Sequence, residues 1–390
     1  MDITIKKLKQ LIQSSHVNFL YGSGLSCNYL STLGNIEKLL TEVSESTIEE
    51  ELKTIISISL YATYVKTVME PCLPEKIKTK QLEYEETFKE YVRFLKALNS
   101  IMARRSVNLI NKQINLFTTN IDDFMEKAAE ETKIELNDGF KGHIMPIFSE
   151  DSFSTIKFKS SPLYQNTSAV PVFNLLKIHG SINWKSKNGD EIIYDTELSS
   201  ILQISKLLKD FKSNHLIEIK KDSSVATLKT EAETIRSTHG INKYNEFNQL
   251  FSQLVVINPT KEKFKTTVID YHFYELMRLY SNALELSSSL LFVAGFSFAN
   301  EHIANITMRA ANANPTLQII VFAYDETSKK EIRKILYNRI CNNNISIFSP
   351  QDYIKAIQEE SPEDNSIQEL KCFDFKSIND FVFTKLESSL

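Results

Sequence analysis

Short apolar runs alternate with stretches of helical spacing from about residue 254 onward, and this rhythm limits the fold more than any other feature of the sequence. The runs have the length of strands, so they are predicted as strands and the stretches between them as helices. Continuous apolar strands separated by helices indicate a parallel sheet that is covered on both faces. The predicted strands are 254–257, 290–294, 317–323 and 345–348, and the predicted helices are 266–286, 300–312, 326–338 and 351–359.

The earlier part of the chain continues this pattern but is interrupted by two long helix-forming blocks. A hairpin is predicted at Asn188-Gly189, and the sequence after it is charged, mostly helical and without a strong apolar face. Residues 137–170 are predicted to be irregular. The predicted strands are 17–21, 114–118, a short one near Ile134 and 172–178, and the predicted helices are 3–14, 36–43, 47–69, 81–111 and 122–131.

These elements predict the α/β class, with a Rossmann-like parallel sheet and helices on both faces. The predicted Rossmann domain comprises residues 1–35 and 113–360. A helical insert at 36–112 and a second, mostly helical insert at 185–250 interrupt it. Residues 361–390 are predicted to be a C-terminal tail.

Composition excludes several classes of protein. The chain carries 45 Lys and Arg against 49 Asp and Glu, and a net charge of −4 argues against a strongly basic nucleic-acid-binding domain. Its four cysteines are scattered without a Cys-x-x-Cys pair, which indicates neither a zinc ribbon nor a disulfide framework. No apolar run reaches the roughly 18 residues of a membrane span. We therefore expect a cytoplasmic protein with no metal and no membrane contact.

Ligands of open parallel sheets bind beyond the carboxyl ends of the strands, so the residues that follow each strand are the candidates for a site. The first strand runs into Gly22-Ser23-Gly24-Leu25-Ser26. Its glycines allow a tight turn and a close approach of backbone amides to a phosphate at a predicted helix start. A tight turn without a ligand explains the same residues equally well.

The next strand runs into Thr118-Thr119-Asn120-Ile121-Asp122. These polar side chains lie where a ligand is expected. Capping of the following helix by Asn120 or Asp122 is the alternative explanation.

Three further strands end in polar or glycine-containing segments. His179 follows the strand at 172–178 and precedes a glycine, a position in which an imidazole can serve as a base, although a lone histidine is more often structural. Asn258 follows the strand at 254–257. The segment Gly295-Phe296-Ser297-Phe298 follows the strand at 290–294.

The order and spacing of these segments resemble the NAD-binding pattern of the sirtuin family. The series is Gly-Ser-Gly-x-Ser, Thr-x-Asn-Ile-Asp, His-Gly, Ile-Asn-Pro and Gly-x-Ser, each at a strand end. The resemblance covers the motif-bearing parts of residues 15–325 and neither insert. It implies that NAD is the ligand, with its pyrophosphate bound by Gly22, Ser23, Gly24 and Ser26 and a further contact from Thr118. It also implies that Asn120 orients a water, that Asp122 accepts a hydrogen bond from the carboxamide, and that His179 is the general base. The adenosine side would be contacted by Asn258, Gly295 and Ser297.

Two departures from the sirtuin deacylases bear on the reaction. Their zinc module needs paired cysteines, whereas residues 181–256 contain no cysteine. Their Gly-Ile-Pro-Asp-Phe-Arg segment is replaced at 27–33 by a stretch without proline or arginine. We therefore expect water to attack NAD, so that the chain is a NAD glycohydrolase with NAD as substrate. A non-catalytic NAD or ADP-ribose sensor that regulates a partner, and a weak deacylase or ADP-ribosyltransferase, are the alternatives.

The segments 137–140 and 295–303 resemble a divergent bacterial branch of the family that acts in anti-phage defence by depleting NAD. Partners in that branch include HerA-type DNA translocases and short Argonautes. The resemblance therefore implies a separately encoded partner such as a HerA-type hexameric ATPase, together with a homo-oligomer. The two inserts are candidates for oligomer surfaces or lids, and extra packing layers explain them equally well.

Overall fold

A central parallel sheet, a second antiparallel sheet and the helices around them make up the computed structural model of the protein. The described residues are 4–32, 36–106, 110–163, 166–189, 191–212, 214–220, 222–236, 242–257, 268–337, 342–363 and 365–389.

The described strands form a seven-stranded, a five-stranded and a two-stranded sheet. The seven-stranded sheet has the order β14-β13-β12-β1-β2-β8-β3, and all its neighbouring strands are parallel. This architecture confirms the predicted α/β class with a Rossmann-like parallel sheet. The strands of the described residues are β1 (His16–Tyr21), β2 (Gln113–Thr118), β3 (Leu136–Asn137), β4 (Phe140–Lys141), β5 (Ile147–Phe148), β6 (Phe158–Ser160), β7 (Thr167–Ala169), β8 (Val172–Lys177), β9 (Gly180–Lys187), β10 (Glu191–Tyr194), β11 (Leu254–Val256), β12 (Ser289–Ala294), β13 (Gln318–Phe322) and β14 (Ile345–Phe348).

Helices cover both faces of the parallel sheet. The described helices are α1 (Ile5–Ser14), α2 (Ile36–Glu45), α3 (Glu50–Tyr64), α4 (Pro74–Ile77), α5 (Gln81–Ala103), α6 (Phe124–Thr132), α7 (Ser199–Lys209), α8 (Val225–Arg236), α9 (Asn242–Phe251), α10 (Val268–Glu285), α11 (Glu301–Ala313), α12 (Glu326–Leu336), α13 (Pro350–Glu360), α14 (Phe375–Ile378) and α15 (Thr384–Ser389). None of them is long and apolar enough to cross a membrane.

The sheet interior is apolar on both sides, because alternate residues of a strand point to opposite faces. On β12, Leu290 and Phe292 pack into one core, which they share with α1, α3, α5 and α13. Leu291 and Val293 pack into the other core, with α10, α11 and α12. Continuous apolar strands are therefore required here, as the sequence pattern indicated.

A row of buried and half-buried amides crosses the middle of the sheet. Asn18, Asn115, Asn174 and Asn137 are partners in the strand register. Their side chains form a chain of hydrogen bonds with lengths of 2.8, 2.9 and 3.0 Å. Asn18 Nδ2 extends it by donating to Ser289 Oγ at 2.9 Å. Each amide side chain is therefore a hydrogen-bond partner of the next one within the sheet.

The inserts at 36–112 and 185–250 pack together as one helical layer. Helices α8 and α9 both contact α3. The expectation of a weak apolar face at 185–250 is wrong, because Ile201, Ile204 and Leu228 are buried in the same core as the parallel sheet. The predicted helix 81–111 is shorter than expected, since α5 ends at Ala103.

The second sheet corrects two sequence-based expectations. Its order is β11-β9-β10-β5-β4 and its pairs are antiparallel. The predicted strand at 254–257 therefore lies outside the parallel sheet: β11 pairs with β9, whose hairpin with β10 is confirmed. The stretch 137–170 is also more regular than predicted, because short strands form within it.

Residues 365–389 are helical except at 370–374, and they pack against the remainder of the protein. Phe375, Val382, Phe383 and Leu386 are buried in the core. Helix α15 contacts α1 and α5, so both ends of the described chain meet beside the helical layer.

Candidate functional site

Four of the predicted motif segments follow strands that are consecutive in the sheet, namely β12, β1, β2 and β8. Tyr21 is in register with Ala294 on one side and with Thr118 on the other, and Thr118 is in register with Lys177. These strands end at the same level, so their loops lie side by side at the carboxyl edge. The chain continues from β1 to β2 and later places β12 on the opposite side of β1, which makes this edge a topological switch point, where open α/β sheets bind ligands.

Backbone approach explains the glycines at this edge. Gly24 N donates to Gly295 O at 3.0 Å. A Cβ on Gly24 would lie 2.7 Å from Gly295 Cα, and Gly295 has a φ of +60°. The predicted helix start here is wrong: Ser23–Leu25 is a three-residue 3-10 helix, so the dipole of a longer helix does not contribute at this loop.

A buried hydrogen-bonded network joins three of the predicted side chains. Ser26 Oγ donates to Asp122 Oδ2 at 2.9 Å and lies 2.7 Å from the Tyr91 hydroxyl. Because the single Ser26 proton goes to Asp122, Tyr91 is the donor to Ser26. Asn120 Nδ2 lies 3.4 Å from both Ser26 Oγ and the Tyr91 oxygen. The structure therefore brings Ser26, Asn120 and Asp122 together, around a tyrosine of α5.

Among the described residues, no hydrogen-bond donor reaches the side-chain oxygen of Asn120. Its side chain is 6% exposed, and Oδ1 has no hydrogen-bond partner among the described residues. A buried amide oxygen in this state is costly, because it has lost its hydration without replacement. A hydroxyl, an amide or a water molecule that donates to Oδ1 would remove that cost.

Local hydrogen bonds also fix the turn that carries Asn120. Thr118 Oγ1 donates to Tyr21 O at 3.1 Å and accepts from Asn120 N at 2.9 Å. Asp122 Oδ1 accepts from Phe124 N, at the start of α6, at 3.3 Å. Asp122 thus supports the helix start with one oxygen and Ser26 with the other. Burial raises the pKa of Asp122, and the nearby Lys177 and the Ser26 hydroxyl partly oppose this shift.

His179 lies at the same edge, beside the start of α11. It is half-buried, and its Nε2 lies 3.1 Å from Asn300 Nδ2. Asn300 is the N-cap of α11, where its Oδ1 accepts from His302 N and Ile303 N. The His179 loop is thereby connected to the loop that follows β12.

Two of the remaining predicted residues lie at the surface. Ser23 and Ser297 are exposed, and Ser297 Oγ accepts from Ala299 N at 3.4 Å. Gly22 is buried against the loop after β12. Asn258 lies outside the described residues.

The comparison with protein families points to one group. The SIR2-like domain matches residues 114–223, from β2 to the segment before α8. The matched part carries Asn120, Asp122 and His179. This match supports a sirtuin-like family for the chain. A SIR2-like domain is often enzymatic and implies the use of NAD. The match covers less than half of the chain, and no curated protein matches it.

A buried ion pair lies beneath the carboxyl edge of the sheet, and the sequence analysis did not predict it. Lys177 Nζ lies 2.6 Å from Glu126 Oε1, and its side chain is 2% exposed. It also donates to Asp122 O at 2.5 Å and to Ser181 Oγ at 2.7 Å. One ammonium group therefore connects the loop after β2 with the turn after β8. The sequence does contain one indication of this ion pair, because Lys177 is the only charged residue of the strand 172–177.

Tyr91 is the second residue that sequence reasoning missed. It lies in the helical insert, outside the segment that matches the SIR2-like domain. Burial raises its pKa well above the ordinary value, and the nearby Asp122 adds to the shift. The phenol is thus held as a neutral donor in the network with Ser26, Asn120 and Asp122. Nothing in its local sequence marks it as a site residue.

An open cavity of about 560 Å³ adjoins the glycine loop. It is bounded by Gly24 and Leu25, by Tyr324 after β13, and by residues of α5 and of the C-terminal segment. Its volume is in the range of small-molecule sites. Among the described residues, no group of three or more His, Cys, Asp or Glu is arranged to hold a metal ion.

Proposed function

We propose that this sirtuin-like chain hydrolyses NAD at the nicotinamide–ribose bond and releases nicotinamide and ADP-ribose. The observation that supports this most directly is the buried, unpartnered Oδ1 of Asn120 beside Asp122 at the switch-point edge. Cleavage of this bond develops oxocarbenium character on the ribose, so the site must hold the leaving group and supply a water. An amide oxygen that lacks a donor is suited to orient that water.

The roles of the other residues follow from their positions. Asp122 would accept a hydrogen bond from the carboxamide of nicotinamide, since each carboxylate oxygen can accept more than one. His179 would accept a proton from a ribose hydroxyl. Water adds to the anomeric carbon, the electron pair of the broken bond stays with the pyridine nitrogen, and one proton is released to solvent.

The segment after the glycine loop supports hydrolysis rather than deacylation. Tyr29 is buried, and its hydroxyl donates to Pro71 O at 2.6 Å. Its ring packs against Tyr84 and Phe124. This stretch is therefore part of the aromatic core of the helical layer. Together with the missing cysteine pairs at 181–256, this packing favours water over an acyl-lysine as the nucleophile.

The test is release of nicotinamide from NAD by the purified protein, alone and with the product of the neighbouring gene. Asn120→Ala and His179→Ala should each lower the rate by roughly 10²- to 10⁴-fold. His143→Ala is the matched control, because His143 is exposed on the loop between β4 and β5. Circular dichroism checks that all variants fold. Full turnover by both site variants would contradict the proposal.

Product analysis separates the proposal from its alternatives. Linear ADP-ribose is the expected product. Unchanged NAD that nevertheless binds, measured by isothermal titration calorimetry, would identify a sensor instead. Transfer of ADP-ribose to protein, or loss of an acyl group from a peptide, would identify the third class.

We further propose that the chain acts in anti-phage defence with a separately encoded HerA-type hexameric ATPase, and that it forms a homo-oligomer. This rests on the resemblance of 137–140 and 295–303 to the defence branch. Light scattering of the chain with and without the coexpressed ATPase tests the assembly. Cellular NAD after phage infection should fall with the wild type and not with His179→Ala. A monomer that ignores the ATPase would contradict the partner.

A further inference from the structure

The side chain of Asn300 is fixed by the helix that it caps. Its Oδ1 accepts from His302 N at 3.2 Å and from Ile303 N at 3.3 Å. Backbone N–H groups only donate, so the oxygen of the amide must face the helix. The NH₂ group therefore points away from α11.

That NH₂ group meets the imidazole of His179. The distance from Asn300 Nδ2 to His179 Nε2 is 3.1 Å. An amide NH₂ can only donate, so Nε2 must be the acceptor. A neutral imidazole with an accepting Nε2 carries its proton on Nδ1.

We propose that Asn300 is a positioning residue that holds His179 neutral and in the Nδ1-protonated tautomer, with Nε2 as the basic nitrogen. Protonation of Nε2 would place an N–H against the N–H of the amide, so the contact favours the unprotonated ring. The consequence for catalysis rests on the proposed function: when the His179 ring turns from the fixed amide to a ribose hydroxyl, that hydroxyl finds a lone pair on Nε2.

Capping alone does not require an asparagine. Asp caps helices as well as Asn does, because only the oxygen is used. Asn and Asp differ in the second side-chain atom, which is an NH₂ donor in Asn and an oxygen acceptor in Asp. Asn300→Asp keeps the cap and replaces the donor by an acceptor, so His179 must then place a proton on Nε2.

The experiment compares Asn300→Asp with the wild type by ¹⁵N-detected NMR of histidine-labelled full-length protein, with His179→Ala to assign the signal. The wild type should show an unprotonated Nε2 and the variant a protonated one. Release of nicotinamide should fall at least about tenfold in kcat/KM, which is in the range of a lost general base. Asp325→Asn, the same exchange in reverse at the cap of α12, should change neither readout.

The melting temperature separates positioning from a structural role. It should stay near the wild-type value in Asn300→Asp, because the cap is kept. An unchanged His179 tautomer, or wild-type turnover with the altered tautomer, would overturn the inference. If the wild type does not cleave NAD, the proposed function fails, whereas the NMR comparison still decides the role of Asn300.

Discussion

Replacement of Lys177 by Met tests how strongly the candidate site depends on its buried ion pair. The ammonium group has three partners at 2.5–2.7 Å, and the pair is 2% and 10% exposed at Lys177 and Glu126. Breaking a buried pair by removing one partner costs about 3–5 kcal/mol. Since native proteins are stable by roughly 5–15 kcal/mol, this is a large fraction of the total.

The assay is equilibrium unfolding in urea, followed by fluorescence and circular dichroism. Trp184 is the single tryptophan and is 2% exposed on β9, close in the chain to the ion pair, so its emission reports on this region. The two signals should coincide if unfolding is two-state. The double variant Lys177→Met with Glu126→Gln removes the stranded charge but keeps an acceptor for Asn183, and it should regain at least half of the loss.

The pH dependence has a definite sign. Burial raises the pKa of Glu126, and Lys177 opposes the shift, so the pKa rises further in Lys177→Met. An acid with a raised pKa in the folded state binds more protons when folded, so stability falls as pH rises through that pKa. The deficit of Lys177→Met should therefore be larger at pH 8 than at pH 5. A loss below about 1 kcal/mol, or an equal loss in the Glu126→Gln background, would refute the reasoning.

Three further outcomes are expected. Tyr91→Phe removes the hydrogen bond to Ser26 at 2.7 Å and the longer one from Asn120 at 3.4 Å, which should cost about 1–2 kcal/mol of unfolding free energy and lower nicotinamide release by about five- to tenfold; unchanged kinetics would argue against a role in the site. Gly24→Ala places a Cβ 2.7 Å from Gly295 Cα and should cost about 1–3 kcal/mol in urea unfolding; a variant as stable as the wild type would contradict this close approach. Deletion of 365–389 uncovers buried aromatic residues and should lower the melting temperature strongly; a truncated chain that melts like the wild type would contradict this packing.

The main strands of the parallel sheet could be predicted from the sequence. They are buried on both faces, and such strands are short, continuous apolar runs. The run at 254–257 looks the same, yet it joins the antiparallel sheet. Periodicity reports burial but not the identity of the neighbouring strand. Strands of two or three residues within 137–170 are too short to show a period at all.

The candidate site was predictable where its residues follow strands, as Asn120 and His179 do. Tyr91 and Glu126 were missed because they lie inside helices, and only the tertiary fold brings them to the edge. The hydrogen bond between Tyr91 and Ser26 joins residues 65 positions apart. Local sequence carries no sign of such a contact.

The amide row through Asn18, Asn115 and Asn174 fixes the register of the strands whose loops form the carboxyl edge. Its members belong to β1, β2 and β8, and Ser289 of β12 extends the row, so it spans the four consecutive strands whose loops meet at the carboxyl edge. A slip of one residue would turn its amide to the opposite face and shift its loop by about 3.3 Å. A strand in the wrong register would therefore leave amide groups in the interior without hydrogen-bond partners. The free-energy cost of these groups keeps the four loops level at the carboxyl edge of the sheet.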